Sequence, residues 1–174
     1  MSILLTGGLG FIGSHTAVEL LNYGYDLIIV DNLNNSQLEV LDKIKQLTQG
    51  SKASITFYQT NILDMIKMNN IVQKHQIISV IHFAAYKSVS ESINKPLDYY
   101  HNNITGLINL LSLCESNDIN QLIFSSSATV YGNVNQPPLL ENSVVGQGLT
   151  NPYGQTKFIS ENILKDTCLS NSKL

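Results

Sequence analysis

The sequence predicts an α/β fold, a doubly wound parallel sheet with helices on both faces. Short apolar strands alternate with amphipathic helical segments along the chain. The strands are continuous apolar runs, which is typical of strands buried on both faces. A glycine-rich stretch, TGGLGFIGSH at 6–15, directly follows the first strand. Because strand–helix–strand connections are right-handed crossovers, this alternation predicts parallel neighbouring strands.

The apolar period in each segment gives the predicted elements in order. The run at 2–6 is the first strand, and the helical period of Ala17, Leu20 and Leu21 gives a first helix from Gly13 to Tyr23. The remaining predicted strands are 26–30, 54–58, 78–84 and 121–127; the remaining predicted helices are 36–48 with Ser36 as N-cap, 64–75, 98–117 and 152–168; a Pro-, Gly- and Asn-rich loop covers 132–150.

Composition narrows the class of protein. The chain has 174 residues, of which 43% are hydrophobic and 13% charged, so one soluble globular domain is expected. The net charge of −3 without a lysine run disfavours nucleic-acid and anionic-membrane partners. No signal peptide precedes the first strand and no apolar run reaches spanning length, so a cytoplasmic protein is expected. Cys114 and Cys168 are expected to be reduced thiols, and the histidines show no metal-ligand spacing.

The glycines predict a dinucleotide site. Gly7, Gly10 and Gly13 are spaced G-x-x-G-x-x-G between a strand and a helix. The first allows a tight turn, the second lets backbone approach a pyrophosphate, and the third lets helix pack on strand. Asp31 ends the second strand 18 residues after Gly13, where an acid accepts bonds from the adenosine ribose. Since that carboxylate would repel a 2′-phosphate, NAD is favoured over NADP. A capping aspartate after a strand is the alternative interpretation of Asp31 in isolation.

A second pattern predicts proton chemistry. Tyr153 and Lys157 lie four residues apart at the start of the last predicted helix, where Asn151 and Pro152 are typical first residues. Spacing of four puts both side chains on one face. A lysine ammonium favours the phenolate form of a neighbouring tyrosine and so prepares a general base. In isolation such a pair is more often a solvated helix face. Hydroxyls at the end of the fifth predicted strand, Ser125, Ser126 and Ser127, favour a site there.

Six segments together resemble the UDP-glucose 4-epimerases, which are extended short-chain dehydrogenases/reductases. They are TGGLGFIGSH, VDNLNNS, HFAAYKSVSES, PLDYYHNN, FSSSATVYG and NPYGQTK, and they cover essentially the whole chain in the family's order. The resemblance implies a Rossmann domain with bound NAD, a UDP-sugar substrate and a homodimer. It implies a cofactor site made of Gly7, Gly10, Phe11, Ile12, Gly13, Asp31, Asn32, Asn35, Ser36, Asn61, Ile62, Phe83, Ala84, Lys87, Asn102, Tyr153 and Lys157.

The resemblance also implies the roles of three catalytic residues. Tyr153 would take the proton of the sugar 4-hydroxyl while a hydride passes from carbon 4 to NAD. Lys157 would hold the nicotinamide ribose, and Ser127 would orient the hydroxyl. The 4-keto sugar would then turn over and take the hydride back on its other face.

Three departures from related patterns affect the expected function. Sugar-nucleotide 4,6-dehydratases carry Asp-Glu where this chain has Ala128 and Thr129, so epimerisation is favoured over dehydration. Asn61 stands in place of a usual aspartate near the adenine. Family members continue well past residue 174 into further strands and a substrate domain, so residues 1–174 are expected to be an incomplete Rossmann domain. An NAD-binding module without turnover is therefore an open alternative.

Overall fold

The computed structural model describes residues 1–170, and these residues form two compact units. Unit 1 consists of residues 1–84 and 109–125. Unit 2 consists of residues 85–108 together with 126–170. The first unit contains the sheet, and the second contains the last helix.

Unit 1 is built on a five-stranded parallel sheet. Its strands are β1 (Ser2–Thr6), β2 (Asp26–Asp31), β3 (Ile55–Gln59), β4 (Ile77–His82) and β5 (Leu122–Phe124), in the order β3-β2-β1-β4-β5. The chain runs outward from β1 to β3 and then crosses to the other side of β1. The switch point between β1 and β4 is where open α/β sheets bind ligands, at the carboxyl ends of the strands.

Helices cover both faces of this sheet, as the sequence predicted. They are α1 (Phe11–Asn22), α2 (Glu39–Leu47), α3 (Met65–Lys74) and residues 109–116 of α6 (Gly106–Ser116). One core contains Leu4, Ile28, Val30 and Val80 of the sheet with Met68, Ile71, Leu110 and Leu113 of α3 and α6. The opposite core contains Ile3, Leu5, Leu27 and Ile29 with Ala17, Leu21, Leu41 and Ile44 of α1 and α2. Alternate strand residues therefore supply the two cores, which is the period-2 geometry of a strand buried on both faces.

Unit 2 is mainly helical. It contains α4 (Val89–Asn94), α5 (Pro96–Tyr100), a π-helical segment (His101–Thr105), the first turn of α6, a 3₁₀ helix (Ala128–Tyr131) and α7 (Pro152–Ser170). Over the described part of the chain, no helix is both long and apolar enough to cross a membrane.

The single helix predicted over 98–117 is wrong. The structure has α5, a π-helical segment and α6 in its place, beginning at Pro96, and the preceding α4 was not predicted. The apolar period of Ile104, Leu107, Ile108 and Leu111 continues through the wider turn and so conceals it. The 3₁₀ helix after Ser127 was not predicted either.

Two predicted boundaries are also wrong for identifiable reasons. The predicted helix 36–48 begins only at Glu39, because the Ser36 hydroxyl donates to the Asp31 carboxylate instead of capping the helix. The fifth strand ends at Phe124, so the three serines follow the strand instead of ending it.

Candidate functional site

The turn after β1 requires glycine at its first position. Gly7 has a φ of +70°, and its N–H donates to Val30 O (2.8 Å). A Cβ added there would lie 2.6 Å from the backbone nitrogen of Ala84. Left-handed backbone and this close approach both exclude a side chain. The turn therefore leaves the strand tightly, as the glycine spacing predicts.

The other two glycines have different surroundings. A Cβ on Gly13 would lie 2.3 Å from Gly7 O and 2.8 Å from the Cα of Gly8, so α1 packs directly on the turn. A Cβ on Gly10 would meet a single described atom within 4 Å, Gly7 O at 3.3 Å, once its chain neighbours are set aside. Gly13 therefore serves packing, and the surface at Gly10 is open to a ligand's close approach.

The N-terminus of α1 offers backbone donors. Gly10 is its N-cap, and no side chain within the described residues caps it. The first two residues of the helix, Phe11 and Ile12, are 75% and 58% exposed. Uncapped N–H groups and the positive end of the helix dipole are the features by which helix N-termini bind anions in general.

The Asp31 carboxylate accepts hydrogen bonds from within the protein, a role that its position in the sequence does not indicate. Its Oδ2 accepts the N–H of Leu9 (3.0 Å), and its Oδ1 accepts the N–H of Leu33 (3.0 Å) and the hydroxyl of Ser36 (2.8 Å). The carboxylate, only 8% exposed, therefore joins the glycine turn to the loop after β2. That loop carries the other predicted cofactor residues of this segment, Asn32, Asn35 and Ser36.

The remaining predicted cofactor residues of unit 1 lie at the ends of its other strands. Asn61 and Ile62 follow β3; the Asn61 Oδ1 accepts the Leu63 N–H (2.9 Å), and Ile62 is buried. Phe83 and Ala84 directly follow β4. The structure thus collects the unit 1 residues at the carboxyl ends of four strands.

Unit 2 holds the Tyr153–Lys157 pair in the first turns of α7. The N-cap prediction for Asn151 is confirmed, because its Oδ1 accepts the Gly154 N–H (2.8 Å). Tyr153 is half-buried, and Lys157 is only 5% exposed. Burial lowers the pKa of Lys157 to about 8, against a smaller opposing effect of Glu161. A solvated helix face, the alternative interpretation, does not fit so deeply buried a lysine.

Ser127 precedes α7 in the chain and caps the 3₁₀ helix. Its Oγ accepts both the Thr129 N–H (3.3 Å) and the Thr129 hydroxyl (3.0 Å). With both acceptor positions in use, the Ser127 hydroxyl retains its own proton for donation. The neighbouring Ser126 is occupied elsewhere, since its hydroxyl donates to Glu161.

Asn103, a buried residue that the sequence pattern does not single out, organises unit 2. Its Oδ1 accepts the Tyr86 N–H (2.8 Å), and its Nδ2 donates to Tyr86 O and to the Thr156 hydroxyl (both 3.0 Å). Thr156 in turn donates to Tyr153 O (2.7 Å), so Asn103 links the predicted catalytic helix to the segment that carries Lys87. Asn102, a predicted cofactor residue, is buried beside it and donates to Asn103 Oδ1 (3.0 Å). The one available signal was an Asn pair inside an apolar helical period.

The described residues contain no group of three or more His, Cys, Asp or Glu side chains that could hold a metal ion. The candidate site residues supply backbone donors at the start of α1, the Asp31 carboxylate, the hydroxyls of Ser127 and Tyr153, and the buried Lys157 amine.

Several similar proteins are named UDP-glucose 4-epimerase. The chain is 47% identical over 166 residues to the UDP-glucose 4-epimerase of Bacillus subtilis, which covers 95% of this chain and 48% of that protein. It aligns with the UDP-glucose 4-epimerase of Bifidobacterium longum, solved in complex with NAD+ and UDP, at a TM-score of 0.94 and 41% identity over 98% of this chain and 50% of that one. The UDP-glucose 4-epimerase of Stenotrophomonas maltophila was solved with NAD and formylated UDP-arabinopyranose. It aligns at a TM-score of 0.90 and 42% identity, over 98% of this chain and 49% of that one.

The chain thus spans about half the length of the curated relatives it matches. A family model described as GDP-mannose 4,6 dehydratase matches residues 4–171. Because that match extends over nearly the whole sequence, the chain belongs to this family.

Proposed function

We propose that this chain binds NAD and that the whole protein interconverts UDP-galactose and UDP-glucose by transient oxidation at carbon 4. One observation supports the cofactor assignment most strongly. The uncapped N-terminus of α1 follows the glycine-rich turn at 7–10, in which the Leu9 N–H donates to the Asp31 carboxylate. Relatives named UDP-glucose 4-epimerase, at 45–49% identity, support the reaction.

The residues of unit 1 fit NAD. The α1 N–H groups would bind the pyrophosphate, and the open surface at Gly10 would allow its close approach. A carboxylate has about four acceptor sites, and three on Asp31 are in use. The ribose hydroxyls would use the remaining site and exchange with the Ser36 hydroxyl. A 2′-phosphate would be repelled by the same charge, so NAD is preferred to NADP.

The residues of unit 2 fit the proton chemistry. Bound NAD would supply the acceptor for a hydride from carbon 4 of the sugar. Tyr153 would remove the proton of the 4-hydroxyl and return it, acting as general base and then acid. Ser127, whose acceptor positions are filled by Thr129, would donate its proton to the same sugar oxygen. With a pKa of about 8, Lys157 is mainly an ammonium near neutral pH and would supply positive charge.

The family model's description favours a second candidate, a sugar-nucleotide dehydratase. Dehydration needs an acid/base pair to eliminate water, and the dehydratase pattern places Asp-Glu where this chain has Ala128 and Thr129. The Thr129 hydroxyl is also committed to Ser127. These side chains support epimerisation over dehydration.

Calorimetry with NAD and NADP, followed by an assay for conversion of UDP-galactose to UDP-glucose, tests the proposal. We expect this chain to bind NAD more tightly than NADP, and Tyr153→Phe in the whole protein to lose turnover with a much smaller loss of NAD binding. Binding without turnover by the parent chain would support the alternative of an NAD-binding module. Absence of NAD binding would contradict the proposal at its first step.

We also infer that the full-length protein is a cytoplasmic homodimer. The exposed apolar side chains of Leu97 (80%) and Ile108 (45%) on the α5–α6 segment support pairing. Both cysteines are free thiols, which supports a reducing compartment. Burial raises the pKa of Cys114 to about 11, so it stays unreactive. Light scattering of the full-length protein and cell fractionation test the two inferences separately.

A further inference from the structure

Lys87 lies between two residues whose backbones are held by side chains of the segment 99–103. On one side, Asn103 binds both backbone groups of Tyr86, accepting its N–H (2.8 Å) and donating to its carbonyl (3.0 Å). On the other side, the N–H of Ser88 donates to the hydroxyl of Tyr99 (3.0 Å). Lys87 itself is exposed. The backbone is therefore fixed at both neighbours of an exposed, flexible cation.

The Tyr99 side chain is buried and its hydroxyl is used in both directions. It is 1% exposed, and it donates to Glu91 Oε2 (3.0 Å) while accepting from Ser88. Glu91 Oε1 is bound by the Lys95 ammonium (3.2 Å), which helps to hold the carboxylate in place. The Tyr99 ring also contacts the Tyr86 ring, with centroids 5.5 Å apart. This arrangement needs a phenol, because phenylalanine supplies the ring but neither hydrogen bond.

We propose that Tyr99 is a positioning residue for Lys87. By holding the Ser88 amide, Tyr99 orders the backbone beneath Lys87, whose ammonium would bind an anionic group of NAD. This inference rests on the proposed function, NAD binding, together with the NAD contact that the family resemblance implies for Lys87. Lysine has a long side chain with large conformational freedom, so an anion gains more from it when the backbone beneath is already ordered.

A double-mutant cycle on NAD affinity tests the inference. Tyr99→Phe keeps the ring contact with Tyr86 and is expected to weaken NAD binding about fivefold, the value of one ordinary hydrogen bond. In a Lys87→Met background the same change is expected to alter affinity less than about twofold, because the group on which Tyr99 acts is gone. A merely structural tyrosine would instead give losses that multiply.

Tyr100→Phe is the matched control. Tyr100 is the adjacent residue of α5, and its hydroxyl makes no hydrogen bond within the described residues. We expect its NAD affinity to stay within about twofold of the parent. Glu91→Ala, at an exposed position, removes the acceptor of the Tyr99 proton and is expected to weaken binding in the same direction but less. Glu91→Ala tests the inference even if Tyr99→Phe folds poorly.

Amide hydrogen exchange, measured without cofactor, distinguishes failure of the proposed NAD binding from failure of the positioning inference for Tyr99. Tyr99→Phe is expected to speed exchange of the Ser88 amide by about fivefold or more, whereas the Tyr86 amide, held by Asn103, stays protected. If the parent binds no NAD, the proposed function fails, and unchanged Ser88 exchange would overturn the positioning inference as well. If the parent binds NAD but the two losses multiply, or Tyr99→Phe binds as tightly as Tyr100→Phe, only the positioning inference is overturned.

Discussion

Unit 1 and unit 2 hold their candidate site residues by different means. In unit 1 the site is made mainly of backbone, namely a turn of glycines, the first N–H groups of α1 and the ends of parallel strands, to which the Asp31 carboxylate is added. In unit 2 it depends on side chains that join distant segments, such as Asn103 to Thr156 and Ser126 to Glu161. A backbone site leaves a local pattern of glycines and apolar runs in the sequence. A site held by long-range hydrogen bonds leaves almost none.

The largest effect is expected from a substitution that disrupts the backbone of the unit 1 site. Gly13→Ala would place a Cβ 2.3 Å from Gly7 O and 2.8 Å from the Gly8 Cα, both of which are backbone atoms that cannot move aside cheaply. We expect a loss of about 4 kcal/mol or more in the free energy of unfolding. Urea denaturation followed by circular dichroism measures it.

Gly50→Ala is the control for this change. A Cβ on Gly50 would have no described atom within 4 Å, so its free energy of unfolding should stay within about 0.5 kcal/mol of the parent. Equal stability of the two variants would show that the tight packing of α1 on the turn does not exist.

The next largest effect is expected from a substitution that removes hydrogen bonds between side chains and backbone in unit 2. Asn103→Ala removes the partner of the Tyr86 N–H and carbonyl and leaves Thr156 without its donor. Buried polar groups left unsatisfied cost about 1–3 kcal/mol each, partly relieved by water, so we expect a total loss of about 2–4 kcal/mol. Thermal and urea unfolding measure this loss.

Asn117→Ala provides the comparison. Asn117 donates a single bond to Leu113 O at the end of α6, and its loss should cost about 1 kcal/mol or less. If the two asparagine variants are equally stable, Asn103 is not the organising residue of unit 2.

The same contrast explains how much the sequence predicted. The five strands appear in the predicted chain order, and the glycine turn, Asp31 and the Asn151 cap are where their spacing indicated. These features leave a recognisable pattern in the sequence, because glycine spacing, strand ends and cap residues each restrict which residue types can occur there. Ser36 was assigned to a cap, whereas in the structure it binds Asp31, whose free acceptor could not be seen from the pattern.

The misses in unit 2 have one physical cause. The π-helical segment at 101–105 buries Asn102 and Asn103, and Asn103 bonds a residue 53 positions away. Its apolar neighbours keep the ordinary helical period, so periodicity predicts an unbroken helix. Wide turns of this kind occur frequently at functional sites. Tyr153 and Lys157 both lie in α7, as predicted, but the depth at which Lys157 is buried could not be predicted from their spacing.

A smaller effect is expected in unit 2, where buried Lys157 should make the free energy of unfolding depend on pH. Burial lowers the pKa of Lys157 to about 8 from 10.5, so the folded chain releases a proton that the unfolded chain keeps between those values. The unfolded state then binds more protons, and the free energy of unfolding gains a contribution that rises with pH from about 8 to about 10.5. Lys157→Met should abolish that contribution.

Urea denaturation of both proteins at about pH 7 and about pH 9.5 measures the difference. Relative to Lys157→Met, the parent should be less stable at the lower pH by about 1–3 kcal/mol and should approach the variant at the higher pH. Other titrating groups are common to both proteins and cancel. A gap that does not change with pH would contradict the buried state of Lys157.

The smallest effect concerns a local device in unit 1. Asp64 caps α3, where its Oδ1 accepts the Lys67 N–H (3.1 Å), and this bond with that to the Lys67 side chain lowers the Asp64 pKa. Because the folded pKa lies below the unfolded one, the carboxylate stabilises the fold above the unfolded value, and this stabilisation is lost as pH falls through the folded one. Asp64→Ala should lower the melting temperature slightly at neutral pH and not in acid.

Asp64→Ser, which keeps a cap without a charge, should regain most of the loss and remove the pH dependence. If Asp64→Ser is no better than Asp64→Ala, the Lys67 ion pair (3.1 Å) and not the cap stabilises α3. A helix of unit 1 would then be stabilised by pairing between side chains, and the contrast with unit 2 would weaken.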